Sequence, residues 1–383
     1  MDLRLTEEHL MIRKMAREFA EKELAPIAAE MDQRAEVPFE NIKKLGELGF
    51  LGLNVSEEYG GAGMDTVSYC IAVEEISKAC ASTAVVVAVQ NSLVCYGIER
   101  FGTEDQKQRF LVPLAQGKFI GAFALTEPEA GSDAAAQKTT MVRDGDEYVV
   151  NGAKNLISSG GFADVVLVFG MTDKSKGHRG TSALLVEKGT PGFSVGKEED
   201  KLGIRASNTC ELIFEDCRVP MANRVGEEGQ GFKIAMSNLD AGRISVAAQA
   251  LGIAEAAYEA ALEYAKTRQQ FGQPLARFQG IQWMLADMAT RIEASRLLIY
   301  NAALAKDRAK ETGERYSQES AMAKLYASEM ASWVTDLAIQ IHGGYGYIKE
   351  YPVERYYRDA RITRIYEGTS EVQRTVIAEH ILR

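Results

Sequence analysis

The sequence predicts an α+β multidomain protein in three consecutive blocks: an N-terminal all-α domain over residues 1–117, a compact antiparallel β domain over 118–228, and a C-terminal helical domain over 229–383. Three observations predict it. The first block carries helix caps and apolar residues at helical spacing, the middle one short apolar runs parted by turn residues, and the last one returns to the helical period in long segments. At 383 residues the chain is too long for one small core and long enough to bury a large apolar interior.

Thr6 followed by Glu7 and Glu8 reads as an N-cap with acids in the first turn, and Met11, Met15 and Phe19 recur on one expected face. Pro26 should end or kink that helix, and a second piece over residues 39–48 precedes the Gly60-Gly61-Ala62-Gly63 cluster. Residues 65–97 are rich in Ala, Val and Ile with acids beyond Asp65 only at Glu74 and Glu75, which suits a buried helical pair. Thr103-Glu104-Asp105-Gln106 has the form of a capping box. The pattern then changes: runs at 119–125, 148–150, 164–169, 182–186 and 211–214 are separated by Asp144-Gly145 and Gly189-Thr190-Pro191-Gly192 turns. Helical period resumes over 230–267, 278–310, 317–342 and 369–382, where Trp333, Leu337 and Ile341 form a stripe read as core packing. No internal repeat or low-complexity linker interrupts the chain.

Composition narrows the function. Lys and Arg number 44 against 54 Asp and Glu, a net charge of -10, which argues against a general nucleic-acid or anionic-membrane binder. The five cysteines, Cys70, Cys80, Cys95, Cys210 and Cys217, are scattered without Cys-x-x-Cys spacing, so neither a disulfide framework nor a zinc site is expected, and a reducing cytoplasmic setting fits. The N-terminus has no apolar signal core, and the longest apolar run, 84–89, is too short for membrane insertion. His9, His178, His342 and His380 are isolated from carboxylates and thiols at motif spacing, so no metal site or histidine triad is expected. Gly-x-Gly-x-x-Gly and Walker-type phosphate cradles are absent as well.

With few other catalytic candidates, Glu367 in Arg364-Ile365-Tyr366-Glu367-Gly368-Thr369-Ser370-Glu371 ranks first among possible bases. Glu-Gly-Thr is equally what a helix terminus looks like, with Gly368 turning the chain and Thr369 capping the helix that follows. The company it keeps in sequence is Thr126-Glu127-Pro128-Glu129-Ala130-Gly131-Ser132-Asp133, Arg268-Gln269-Gln270-Phe271-Gly272-Gln273-Pro274-Leu275 and Gln340-Ile341-His342-Gly343-Gly344-Tyr345-Gly346. In this order and at these separations, the motifs resemble the acyl-CoA dehydrogenases over essentially the whole chain.

That resemblance implies a central β-barrel domain and a C-terminal four-helix bundle that clamp an FAD between them in a homotetramer, a dimer of dimers. It places Phe123, Ala124, Leu125, Thr126, Gly131 and Ser132 on the β side of the flavin, largely through backbone groups, with Leu156, Ile157 and Ser158 flanking the ring. It assigns Arg268, Phe271, Gln279, Gln340, Ile341, His342, Gly343 and Gly344 to the FAD of the neighbouring subunit, and Thr369, Ser370 and Glu371 to the cofactor beside the base. Ser132, Asp240, Arg243, Glu367 and Gly368 are the implied contacts to an acyl-CoA thioester. Asp240 and Arg243, three apart on a helix, would equally make a plain ion pair. Leu156 departs from the family, which commonly has Trp or Phe there.

The implied mechanism follows from what a thioester needs. Removing the α-proton puts enolate-like charge on the carbonyl oxygen, so the site must supply a carboxylate base and donors aimed at that oxygen. By resemblance Glu367 is the base, its backbone N–H polarises the carbonyl, FAD takes the β-hydride, and electrons pass to an electron-transferring flavoprotein. Gly242 stands where some family branches place the base, which leaves Glu367 unopposed. Ala84 and Val85, in place of the arginine of the glutaryl branch, disfavour a dicarboxylic acyl group, and the overall likeness is greatest to butyryl-CoA dehydrogenases. The rival readings are a flavin oxidase or monooxygenase on the same fold, a dehydrogenase of branched or cyclic acyl-CoA, and a helical assembly protein that has lost chemistry.

Overall fold

The computed structural model describes residues 4–382. It opens with α1 (Glu7–Phe19), α2 (Ala28–Arg34) and α3 (Phe39–Glu47), with a π-helical turn and then Pro26 parting α1 from α2. Thr6 caps α1: its hydroxyl accepts the His9 N–H at 3.2 Å, and the His9 ring accepts the Thr6 N–H at 3.2 Å. The expected face of α1 needs correction. Its buried residues are His9, Ile12, Ala16 and Phe19, while Met11 is 59% and Met15 38% exposed. A strict four-residue step drifts around a helix of about 3.6 residues per turn, whereas mixed steps of three and four hold one stripe.

The apolar segment folds as α4 (Thr66–Ala79), α5 (Ala81–Ala88), a π-helical stretch (Val89–Cys95) and α6 (Tyr96–Phe101). Ala81–Phe101 spans 21 residues and is apolar enough by length and composition to cross a bilayer, longer than the 84–89 run suggests, but 94% of its 18-residue apolar window is buried inside the protein. Glu74 and Glu75 of α4 are also buried, and arginines answer them. Arg17 donates to Glu75 at 2.8 and 3.0 Å, and Arg296 donates to Glu74 at 3.1 Å and to Glu255 at 2.7 Å. Two short helices, α7 (Glu104–Gln106) behind its capping box and α8 (Val112–Ala115), lead into the sheet.

One sheet contains β1 (Gly121–Ala124), β2 (Thr140–Asp144), β3 (Glu147–Ser158), β4 (Val165–Met171), β5 (Thr181–Glu187), β6 (Phe193–Glu198), β7 (Thr209–Pro220) and β8 (Arg224–Val225). Its path is β6-β7-β3-β2-β4-β5-β8, with β1 added on β4. Among the described residues this path does not close into a barrel, and β1 runs parallel to β4, so the sheet is mixed where an antiparallel one was expected. Strand direction depends on how the chain crosses over in space, which local pattern does not encode. β4 is buried on both faces: Val165, Leu167 and Phe169 join the helical core, while Val166 and Val168 join a second core on the other side. β2 and β6 expose most of their residues and so carry no apolar run to read.

The C-terminal block is α9 (Gly231–Thr267), a small hairpin β9 (Gln269–Gln270) and β10 (Gln273–Pro274), α10 (Gln279–Thr312), α11 (Ser317–His342), α12 (Val353–Ile362) and α13 (Ser370–Ile381). α9, α10 and α11 pack on one another and α13 packs on α11, while α9 also packs along α4, so both helical blocks share one core. α12 was not anticipated because it buries only Val353, Asp359 and Ala360 behind a charged surface. In the Trp333 stripe only Ile341 is fully buried; Trp333 lies half-exposed beneath the Arg291 guanidinium, 4.1 Å from its ring centre. All five cysteines are free and buried.

Candidate active site

On the β side the site is built from the end of β1. Lys154, fully buried on β3, donates to the Leu125 carbonyl at 3.1 Å, to Glu127 Oε1 at 2.7 Å and to Gln137 Oε1 at 3.4 Å. The Glu127 carboxylate also accepts the Lys138 and Thr139 N–H groups at 2.6 and 3.1 Å, and the Thr126 carbonyl accepts the Asn155 N–H at 2.9 Å. Burial pushes Lys154 down to about 8. Burial would raise Glu127, but the Lys154 charge and these donors more than offset it and hold Glu127 below the usual carboxylate range. The loop from Thr126 to Asp133 is thereby pinned on both sides. Beyond Lys154 the β3–β7 register shifts, and at this bulge Leu156 takes φ 58° and stands 57% exposed on the cavity wall.

On the helical side the chain leaves α12 and turns at Glu367 (φ 53°) and Gly368 (φ 95°) before Thr369 caps α13, its hydroxyl accepting the Val372 N–H at 3.3 Å. The base and cap readings of this tripeptide are therefore compatible. Glu367 Oε2 is buried without a hydrogen-bond partner. Burial pushes this carboxyl up to about 7, against the pull of Lys324 and Arg243. A Cβ added at Gly242 would overlap Glu367 Oε2 and lie 2.8 Å from Leu93 Cδ2, so the carboxylate occupies the space a side chain there would need.

Two cavities meet at Glu367. One, of about 310 Å³, is walled by Val85, Ala88, Val89, Leu93, Leu239 and Val246. The other, of about 480 Å³, runs between the Lys201–Ile204 loop and Arg358, Arg361 and Ile365 of the α12 side. Thr126, Gly131, Ser132, Leu156, Ser158, Glu367 and Gly368 line both, and Phe123, Leu125, Ile157 and Arg243 line the first. Thr369 lines the second. Ala124 does not reach either, since its side chain fills the second core. Asp240 lies outside both cavities and pairs instead with Arg243 at 2.6 Å and Ser317 at 2.5 Å. Ser370 is buried away from them and Glu371 is exposed.

A separate groove gathers Arg268, Ile341, His342, Gly343 and Gly344 with Tyr264 and Tyr345, and it shares no residue with the two cavities. Arg268 lies over the Tyr345 ring at 5.3 Å, and Tyr264 stacks on His342 at 4.2 Å. Phe271, Gln279 and Gln340 are exposed and do not line it. Sequence reasoning missed Lys324, Gln373, Lys154 and Tyr366, all of which hold or face the site. The available signal was a lysine on an otherwise small, buried helical face, as at Lys324 between Ala323 and Ala327.

Family models for the acyl-CoA dehydrogenase N-terminal, middle and C-terminal domains match residues 6–118, 122–217 and 229–382. The chain belongs to the acyl-CoA dehydrogenase family. It is 55% identical over 383 residues to the short-chain specific acyl-CoA dehydrogenase of Clostridium acetobutylicum, covering all of both chains. The solved butyryl-CoA dehydrogenase of Megasphaera elsdenii superposes with a TM-score of 0.97 at 51% identity, both chains covered in full. A chain from the structure of the electron transferring flavoprotein of Acidaminococcus fermentans superposes with a TM-score of 0.98 at 54% identity, again over the whole of both. The protein is thus an oxidoreductase of this family.

Proposed function

We propose that this acyl-CoA dehydrogenase converts a short-chain acyl-CoA to the trans-2-enoyl-CoA and passes the electrons to an electron-transferring flavoprotein. The observation that carries the reading is the unpartnered Glu367 Oε2 at the junction of an apolar cavity and a second, larger one. The second cavity fits the cofactor. Its Leu156 and Ser158 wall and its Ile362 and Ile365 wall offer apolar faces and a hydroxyl to a flat ring system, and the bulge at Leu156 keeps that wall open. FAD, when bound, accepts the hydride equivalent from the β-carbon.

The remaining work belongs to the chain. The apolar residues Val85, Val89, Leu93 and Val246 receive the acyl group and exclude water, and none of them could pair a distal carboxylate. Glu367 takes the α-proton. A base near pKa 7 combines a useful ionised fraction with driving force at neutral pH. The Glu367 N–H has no protein acceptor among the described residues and is assigned to the thioester oxygen, where enolate charge develops. Ser132 and Arg243 line the same cavity and are assigned to the CoA side, with Asp240 holding Arg243. The groove around Arg268 and Gly343-Gly344 is assigned to the FAD of a neighbouring subunit in a tetramer, and the cytoplasm is the proposed location.

Anaerobic flavin bleaching by butyryl-, hexanoyl- and octanoyl-CoA tests the assignment. Butyryl-CoA should give the highest kcat/KM with a graded fall, because a hydrophobic pocket discriminates by only about 1–3 kcal/mol per methylene. Glu367→Gln should retain FAD and bind acyl-CoA but lose at least about 10²-fold in bleaching rate. A maximum at octanoyl-CoA would overturn the substrate class, and a Gln variant as fast as the parent would overturn the base.

A further inference from the structure

Lys324 lies on the buried face of α11 with Ser320, Ala327 and Ala331, and none of its surface reaches solvent. Its Nζ donates to the Gly368 carbonyl at 2.6 Å. Gln373, fully buried on α13, donates from Nε2 to the same carbonyl at 2.8 Å and to the Glu367 carbonyl at 3.2 Å. Two successive carbonyls of the turn are therefore tied to two different helices. The turn needs tying: Glu367 at φ 53° is an L residue in the left-handed region, followed by Gly368 at φ 95°.

We propose that Lys324 is a positioning residue for the proton abstraction: with Gln373 it draws the Glu367 and Gly368 carbonyls back against the bundle, which fixes the carboxylate and leaves the Glu367 N–H free for the thioester oxygen. The inference rests on Glu367 being the base. A hydrophobic residue at 324 would leave the Gly368 carbonyl with Gln373 alone, and the turn could relax away from its left-handed conformation. Lys324 also brings charge. The groups facing Glu367 are Lys324 from α11, Arg243 from α9, the buried Tyr69 from α4 and the buried Tyr366 beside it, while Arg364 and Glu371 act on Lys324 from the flanking turn and α13. Burial pushes Lys324 down to about 7 although Glu367 pulls it up, and while it is protonated it draws Glu367 toward the ionised form.

The test compares Lys324→Met, Lys324→Arg and Gln373→Leu, purified with FAD, by flavin content, crotonyl-CoA affinity, flavin reduction by butyryl-CoA across pH, and the carbonyl stretch of bound crotonyl-CoA. Lys324→Met should keep FAD and bind crotonyl-CoA as the parent does. Its flavin reduction should slow by about a hundredfold, the loss expected when reacting groups are misplaced by about 1 Å. Its acid limb should move to higher pH because a cation is gone, and the carbonyl stretch should rise as polarisation weakens. Lys324→Arg should recover part of the rate, and Gln373→Leu should reproduce the carbonyl shift without moving the acid limb. A Lys324→Met enzyme that reduces its flavin near the parent rate with an unmoved limb overturns the inference. Should that variant fail to fold, an unchanged carbonyl stretch in Gln373→Leu overturns it. If Glu367→Gln is inactive while Lys324→Met is normal, only this inference falls; an active Glu367→Gln removes both.

Discussion

Glu367 works against the stability of the protein that carries it. Its folded pKa, about 7, lies above the ordinary carboxylate value, so its contribution to stability is complete below that ordinary value and is lost as pH rises through about 7. Catalysis requires the opposite, the ionised form. The kcat/KM for flavin reduction by butyryl-CoA should therefore rise with pH through the neutral region and level off above it, as followed by stopped-flow. An acid limb in the usual carboxylate range would show a hydrated Glu367. Gly242 is the other residue-scale control. Gly242→Ala puts a methyl where Oε2 sits, so bleaching by butyryl-CoA should fall by about 10²-fold or more while FAD absorbance remains. A Gly242→Ala enzyme with parental rates would mean that the carboxylate has another productive place to go.

Among the elements, the joint between the helical blocks depends on Arg296 of α10. It reaches Glu74 of α4 and Glu255 of α9 together, in surroundings where burial and then the Glu255 charge push Glu74 upward. Arg296→Met should cost about 3–5 kcal/mol, the usual cost of leaving a buried partner unpaired, and the loss should shrink as pH falls and Glu74 takes up a proton. Denaturant midpoints at acid and alkaline pH check both statements. These elements also show what sequence could convey. Caps at Thr6, Thr103 and Thr369 and the long periods of α9 to α11 are local properties, and each is found where the residues indicate. The parallel pairing of β1 with β4, the open sheet path and α12 depend on crossovers or on partners distant in sequence. Glu367 could be singled out as the proposed base only through its motifs, because its unpaired oxygen and its junction between cavities exist only once α9, β3 and the turn before α13 meet. Lys324 could be read as a lysine on a small-residue helical face, but its role could not, because its partner is a backbone carbonyl 44 residues away.

The whole molecule presents unpartnered aromatic surface on its C-terminal block. Phe271, 93% exposed at the tip of the β9–β10 hairpin with its ring edge-on to Phe278, and Trp283, 61% exposed on α10, both lie near Arg268 in sequence. Under the proposed tetramer this surface is covered and the groove completes a neighbour's cofactor site. Arg268→Ala should then release FAD on dilution while helical circular dichroism persists, and light scattering should show the parent as a tetramer. A monomer holding stoichiometric FAD would contradict that arrangement. The burial of the five cysteines has a consequence for measuring such a molecule. Cys70, Cys80 and Cys95 lie in the helical core and Cys210 and Cys217 on β7, all with thiols raised by burial, Cys217 to about 11. An alkylating reagent can then reach each only when its own layer opens, so the labelling rate at each sulfur times the breathing of the helices and of the sheet separately, without a probe having to be introduced.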